Sequence, residues 1–392
     1  MDTMMTEKRT TSDEMLEHFA GRVGGYDRDN RFFQEDFDDL KRAGYLTINV
    51  PKELGGQGAT LAEVCHEQRR LAYHAPATAL GINMHLYWVG VAADLWRTGD
   101  KSLEWMLREA AAGEVFAAGH SERGNDLPVL LSTAKAEKVE GGFKITGHKM
   151  FGSLAPVWTR YGLHALWADA EGGPKVVHAF MPRDTKGFKI VETWDTLGMR
   201  ATRSDDVVLE GAFVPDRYIG RIVPAGGVDF FILAIFAWAT MGFGNIYCGM
   251  AHRAADLATA AVRGKKSLAV SRTMAYHPEV QHAMAQLMLT LDPIAPHLEQ
   301  VASDWSGGVD HGGTWPSRLV SAKHHAVEAC WKIVDTAMEL SGGAGMFRGS
   351  ELERLFRDAR CGRFHPANPA LVHEIVAKTA LGIDLGEQPR WG

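Results

Sequence analysis

The sequence predicts an α+β protein in three consecutive parts. These are an N-terminal helical domain over 1–115, a central β-domain over 116–225 and a C-terminal four-helix bundle over 226–392. Two observations carry this reading. Apolar residues recur at helical spacing up to about residue 115, alternate in twos through the middle, and return to helical spacing from Val228 onward. The apolar runs of the middle part are also short and bounded by Gly, Pro or Asp, as strands are.

The elements follow in order. Residues 14–19 and 37–43 have helical spacing, and Gly44 stops the second run. Pro51 and Gly55-Gly56 mark a loop. Thr60, with Glu63 three residues later, has the capping-box pattern, in which hydroxyl and carboxylate satisfy the free N–H groups of a helix start. Gly141-Gly142 reads as a hairpin turn into a strand at 143–146, with further strands at 176–181, 188–191 and 207–214. Helices are then expected at about 229–262, 278–303, 317–341, 350–360 and 369–381. Asn368-Pro369 opens the last of these: Asn supplies the cap and Pro fits the first turn.

Composition narrows the function. A net charge of -6 with no basic stripe argues against a nucleic-acid partner. Cys65, Cys248, Cys330 and Cys361 lie far apart without CxxC spacing, so reduced thiols in the cytoplasm are expected, with neither a zinc site nor a disulfide framework. No histidine pattern supports a metal. The first residues, including Asp2, Glu7, Lys8 and Arg9, hold no apolar segment of a secretory leader. Residues 230–251 are almost wholly apolar and about long enough to cross a bilayer. They contain Gly242, Gly244, Asn245 and Gly249, and no second span or Lys/Arg-rich flank accompanies them, so a buried core helix and no membrane span is expected.

Four motifs stand in order along the chain. Leu40-Lys41-Arg42-Ala43-Gly44 precedes Val50-Pro51-Lys52-Glu53-Leu54-Gly55-Gly56-Gln57-Gly58, and Ile145-Thr146-Gly147-His148-Lys149-Met150-Phe151 opens the middle. Leu197-Gly198-Met199-Arg200 follows, with Val214-Pro215 closing the segment. Last comes Gly342-Gly343-Ala344-Gly345, followed by Arg354, Arg357, Asp358 and Ala359. Together they resemble the acyl-CoA dehydrogenase family over almost the whole chain. The glycine run follows a helical pattern and no strand, which argues against a Rossmann crossover.

The resemblance implies that family's fold, an FAD between the domains, a small-molecule substrate that includes CoA thioesters among its candidates, and a homodimer or homotetramer. It implies that Ser121, Phe151, Gly152 and Ser153 contact the flavin ring, the serines as donors. It places Gly342, Gly343, Gly345 and Arg263 near the pyrophosphate, with Lys265 as a rival to Arg263. On the apolar 229–250 helix, Phe231, Trp238 and Phe243 are either substrate pocket or plain core.

The pattern breaks at the base. Family members remove a proton with a glutamate, either just after the arginine helix or on the first long helix of the bundle. Here those places read Arg363-Phe364-His365-Pro366-Ala367-Asn368 and Ala237-Trp238-Ala239-Thr240-Met241-Gly242, without a carboxylate. His365, titrating near neutrality, is the expected proton-handling residue, with His85 and Ser153 completing a set similar to that of flavin-dependent monooxygenases on this fold. Three functions remain open: an O2-using flavoenzyme, an acyl-CoA dehydrogenase with a relocated base, and a catalytically silent subunit kept for assembly.

Overall fold

A computed structural model describes residues 10–387 apart from residue 270. The leader reading falls on 1–9, outside the described residues. Five helices come first: α1 Asp13–Arg28, α2 Gln34–Arg42, α3 Leu61–His74, α4 Pro76–Arg97 and α5 Glu104–Ala111. The capping box at α3 is present, with Thr60 Oγ1 accepting from Glu63 N and Glu63 accepting from Thr60 N at 2.7 Å.

Eight strands follow: β1 Phe116–Gly119, β2 Lys135–Val139, β3 Gly142–Gly152, β4 Arg160–Trp167, β5 Lys175–Pro182, β6 Phe188–Val191, β7 Asp205–Pro215 and β8 Ile219–Pro224. They form one sheet in the order β6-β7-β3-β2-β4-β5-β8, with β1 parallel to β4. The hairpin joins β2 to β3 at Gly141, whose φ of 75° suits glycine. Strands β1, β2, β4 and β8 are additions to the sequence expectation. β4 is buried along most of its length and so shows no alternation to read.

The bundle comprises α6 Phe230–Gly264, α7 Pro278–Leu291, α8 Ile294–Ser306 and α9 Trp315–Ser341, followed by α10 Glu351–Cys361 and α11 Pro369–Leu381. The single helix expected over 278–303 is two helices. Pro293 separates them, because its ring clashes with the preceding turn and it has no N–H to give. Helix α6 is long and apolar enough to cross a bilayer, yet most of it is buried inside the protein against α3, α4 and α9.

The seam between α4 and α6 is tight. A Cβ on Gly90 would lie 2.2 Å from the Trp238 ring, so only glycine admits that indole. One turn on, Asp94 accepts hydrogen bonds from the indoles of Trp238 on α6 (2.6 Å) and Trp305 on α8 (2.8 Å). One carboxylate thus fastens the N-terminal helices to the bundle.

Candidate active site

Two of the sequence motifs are locked together in space. The segment at Leu197-Gly198-Met199, between β6 and β7, rests against α10: Met199 N donates to Asp358 Oδ1 at 2.5 Å, and Arg357 donates to Leu197 O at 3.0 Å. A Cβ on Gly198 would lie 2.5 Å from Arg357 O, so the glycine is what permits the approach. Arg357 is itself held by Asp27 and Glu353. This joint forms one wall of a cavity of about 340 Å³.

The cavity lies between α4, the ends of β1 and β3, the 194–204 segment, α6 and the loop after α10. Among the described residues that line it there is no Asp, Glu, Lys or Arg. Ser121, Phe151, Ser153, Phe243 and His365, all singled out from the sequence, meet here. Phe151 holds φ at 58° and packs edge-on against Trp194, with ring centres 5.9 Å apart.

Ser153 belongs to a chain of three hydroxyls whose directions can be worked out. Thr202 Oγ1 donates to the Met199 carbonyl at 2.8 Å, so its oxygen must accept from Ser204, 2.7 Å away. Ser204 then accepts from Ser153 at 2.7 Å. The Ser153 proton is therefore consumed, and the serine offers lone pairs to the cavity.

His365 is stacked on Phe243 (4.8 Å between ring centres, 8° between planes), and its Nε2 lies 2.8 Å from the Tyr247 hydroxyl. Lys323 on α9 is buried and spends its amine on the loop, donating to the carbonyls of Gly362 (3.4 Å), His365 (3.2 Å) and Ala367 (2.9 Å). Arg363 pairs with Glu328 and anchors the same loop from outside. Burial, with the nearby Lys323 amine, pulls His365 down to about 3. The expected titration near neutrality is thus overturned: the imidazole stays neutral because its protonated form would be desolvated.

Several expected residues fall elsewhere. His85 is buried with Nε2 2.7 Å from Leu46 O, while Nδ1 accepts from Phe116 N at 3.1 Å. Backbone groups use both nitrogens and His85 is not among the cavity residues, so its role is structural. Phe231 stacks on Trp88, and Trp238 is spent on Asp94 and Gly90; both are core. Gly152 sits between the cavity residues Phe151 and Ser153, where a Cβ would crowd Asp205 O. Arg263 is exposed at the end of α6. Lys265 is the cation beside the glycine turn: its Nζ lies 2.6 Å from where a Cβ on Gly342 would sit. Gly343 has open space around it, and Gly345 is buried.

The sequence reading missed Tyr247, Thr202, Ser204 and Trp194. It also missed His120, which lines the cavity with its Nδ1 3.1 Å from His164 Nδ1. Nearness to the Leu197–Arg200 motif was the available signal for Trp194, Thr202 and Ser204, and nearness to Ser121 for His120; Tyr247 had none.

A flavin ring, flat, apolar on its faces and polar along one edge, fits this lining of aromatic walls and hydroxyl acceptors. Residues 6–114 match the acyl-CoA dehydrogenase N-terminal domain and residues 241–369 the acyl-CoA dehydrogenase C-terminal domain. The chain belongs to the acyl-CoA dehydrogenase family. Over 380 residues it is 28% identical to L-evernosamine nitrososynthase of a Micromonospora strain, covering 94% of this chain and 89% of that one. It is 29% identical over 359 residues to an amino sugar nitrososynthase of Streptomyces peucetius, covering 88% and 86%. Among solved structures it is similar to KijD3 in complex with FMN and a dTDP-linked amino sugar, with a TM-score of 0.82, 26% identity and coverage of 95% and 92%. Like them, this acyl-CoA dehydrogenase family member is a flavin-dependent oxidoreductase.

Proposed function

We propose that this enzyme oxygenates the nitrogen of a small, largely apolar amine, using a reduced flavin and O2. The observation that carries the reading is the cavity itself, which among the described residues that line it has a neutral histidine and no carboxylate. Desaturation of an acyl thioester needs a base strong enough to take a carbon-bound proton, and a desolvated imidazole at about 3 is too weak for that. Amine oxygenation needs no such base, because the amine lone pair is the nucleophile. Burying an ammonium ion in a cavity without a counter-charge is costly, so the lining selects the neutral, reactive form of the amine. The nitrososynthase relatives, whose names refer to amino sugars, point the same way.

When bound, the flavin supplies the two electrons with which one oxygen atom of O2 reaches the substrate and the other leaves as water. The residues of this chain would hold it at Ser121, Phe151 and Ser153, with Ser153 accepting from a ring N–H. FAD is the favoured form: the Lys265 amine beside the bare backbone of Gly342 supplies the cation and close approach that a pyrophosphate requires. Met346 and Phe347, 72% and 73% exposed just after that turn, suit burial against a second copy and hence a homodimer or homotetramer.

The test is direct. Purified enzyme with reduced flavin should consume O2 and form hydroxylamine or nitroso products from small cyclic amines, and released flavin should chromatograph as FAD. Flavin bleaching by an acyl-CoA without O2, with no amine product, would instead establish the dehydrogenase.

A further inference from the structure

The geometry points to Tyr247 as a positioning residue that fixes His365 in the Nδ1-protonated tautomer, so that the imidazole turns an N–H donor, and no lone pair, toward the cavity. Tyr247 lies in the middle of α6 and is fully buried. Burial pushes its phenol well above the usual value, so the O–H keeps its proton. Among the described residues, its hydroxyl has one hydrogen-bond partner, His365 Nε2 at 2.8 Å.

Two arrangements satisfy that distance. If Nε2 carried the ring proton, it would donate to the phenol oxygen, and the phenol O–H would be left without an acceptor. A buried hydroxyl in that condition costs about 1–3 kcal/mol. If Nε2 is bare, the phenol donates to it and the fully buried hydroxyl is satisfied, which leaves the unpartnered proton on the less deeply buried imidazole. The neutral imidazole then carries its proton on Nδ1, which has no partner among the described residues, and the ring itself lines the cavity.

The surroundings keep the ring from escaping this choice. Phe243 stacks on one face, and Lys323 pins the carbonyls of Gly362, His365 and Ala367 on either side of it. A ring flip would therefore break the Tyr247 bond without finding another. The consequence for chemistry is specific. His365 serves as a fixed hydrogen-bond donor to an oxygen atom that gains negative charge during oxygen transfer, the kind of pre-oriented dipole that is worth most in a site closed to water.

The catalytic meaning rests on the function proposed above; the tautomer does not. The full-length protein, labelled with 15N-histidine, should show a long-range 1H–15N pattern with Nδ1 protonated and Nε2 bare, unchanged from pH 5 to 8. The signal is assigned as the one lost in His365→Ala. Tyr247→Phe should move the population toward the Nε2-protonated form and lower kcat about 10-fold, the loss expected for one buried hydrogen bond, with KM within twofold. A wild-type spectrum with Nε2 protonated overturns the inference without any variant having to fold. A tautomer unchanged in Tyr247→Phe overturns it too. The predicted tautomer in an enzyme that never oxygenates amines would leave the inference standing and remove the proposed function.

Discussion

Two histidines, His85 fully buried and His365 half-buried, show how a fold decides what an imidazole can do. His85 joins α4 to two backbone strangers, giving a proton to Leu46 O and taking one from Phe116 N. His365 gives only one nitrogen to a side chain and lines a cavity with the rest of its ring. Burial holds both neutral, His85 down to about 4 and His365 to about 3. Charge state therefore does not distinguish them. The difference lies in what claims the nitrogens: backbone groups take both in His85, whereas a single side chain takes one in His365 and leaves the rest of the ring on the cavity.

Substitution should separate the two sharply. His365→Ala should lower turnover by about 10²–10³-fold, the range for losing a fixed donor to a developing oxyanion, and leave flavin bound. Steady-state kinetics and the flavin spectrum check both halves, and near-normal turnover would erase the contrast. His85→Leu should do the reverse. It strands a buried carbonyl and a buried N–H and should cost about 2–5 kcal/mol in denaturant unfolding. The activity of the surviving folded enzyme should stay within a few fold.

Acid should act alike on these two histidines and on the buried His178. His85, His178 and His365 are all held below the unfolded value of about 6.5, at about 4, 3 and 3. Above that unfolded value their neutral burial has no proton-linked penalty. As pH falls below it, the unfolded chain binds protons that the folded chain refuses, and stability drops by about 1.4 kcal/mol per histidine per pH unit until the folded values are reached. Unfolding series at pH 7, 6 and 5 would measure the slope. His85→Leu should make it shallower by one histidine, which sharpens the comparison.

The smallest effect is expected where no histidine is involved. Ser204→Ala breaks the hydroxyl chain and lets Ser153 turn its proton toward the cavity, and it should weaken flavin binding by about 1 kcal/mol. Fluorescence titration with FAD would measure this; an unchanged affinity would show that the hydroxyl chain does not set the Ser153 orientation.

What the sequence made legible was local. The Thr60 capping box and the Asn368 cap, whose Oδ1 accepts from Leu371 N, are set by residues three apart, and both are found. The Gly141 hairpin was legible for the same reason. Tyr247 was not. It sits in an apolar helical stretch that reads as core, 118 positions from the histidine it serves. His85 misled because a sequence shows an imidazole but not which backbone groups will claim its nitrogens. Phe231, Trp238 and Phe243 share one helix, and only the packing of α4 and the 361–366 loop decides that Phe243 alone of the three faces the cavity.

Asp94 has a consequence of an optical kind. It binds the indole N–H groups of Trp238 and Trp305 at once, from a third helix. An indole's emission responds to charge beside its ring nitrogen, so two chromophores here share one electrostatic control. Any event that parts α4 from the bundle removes the carboxylate from both together. The protein thereby carries its own fluorescent gauge of that seam, read as the difference between wild type and a Trp238→Phe, Trp305→Phe double variant.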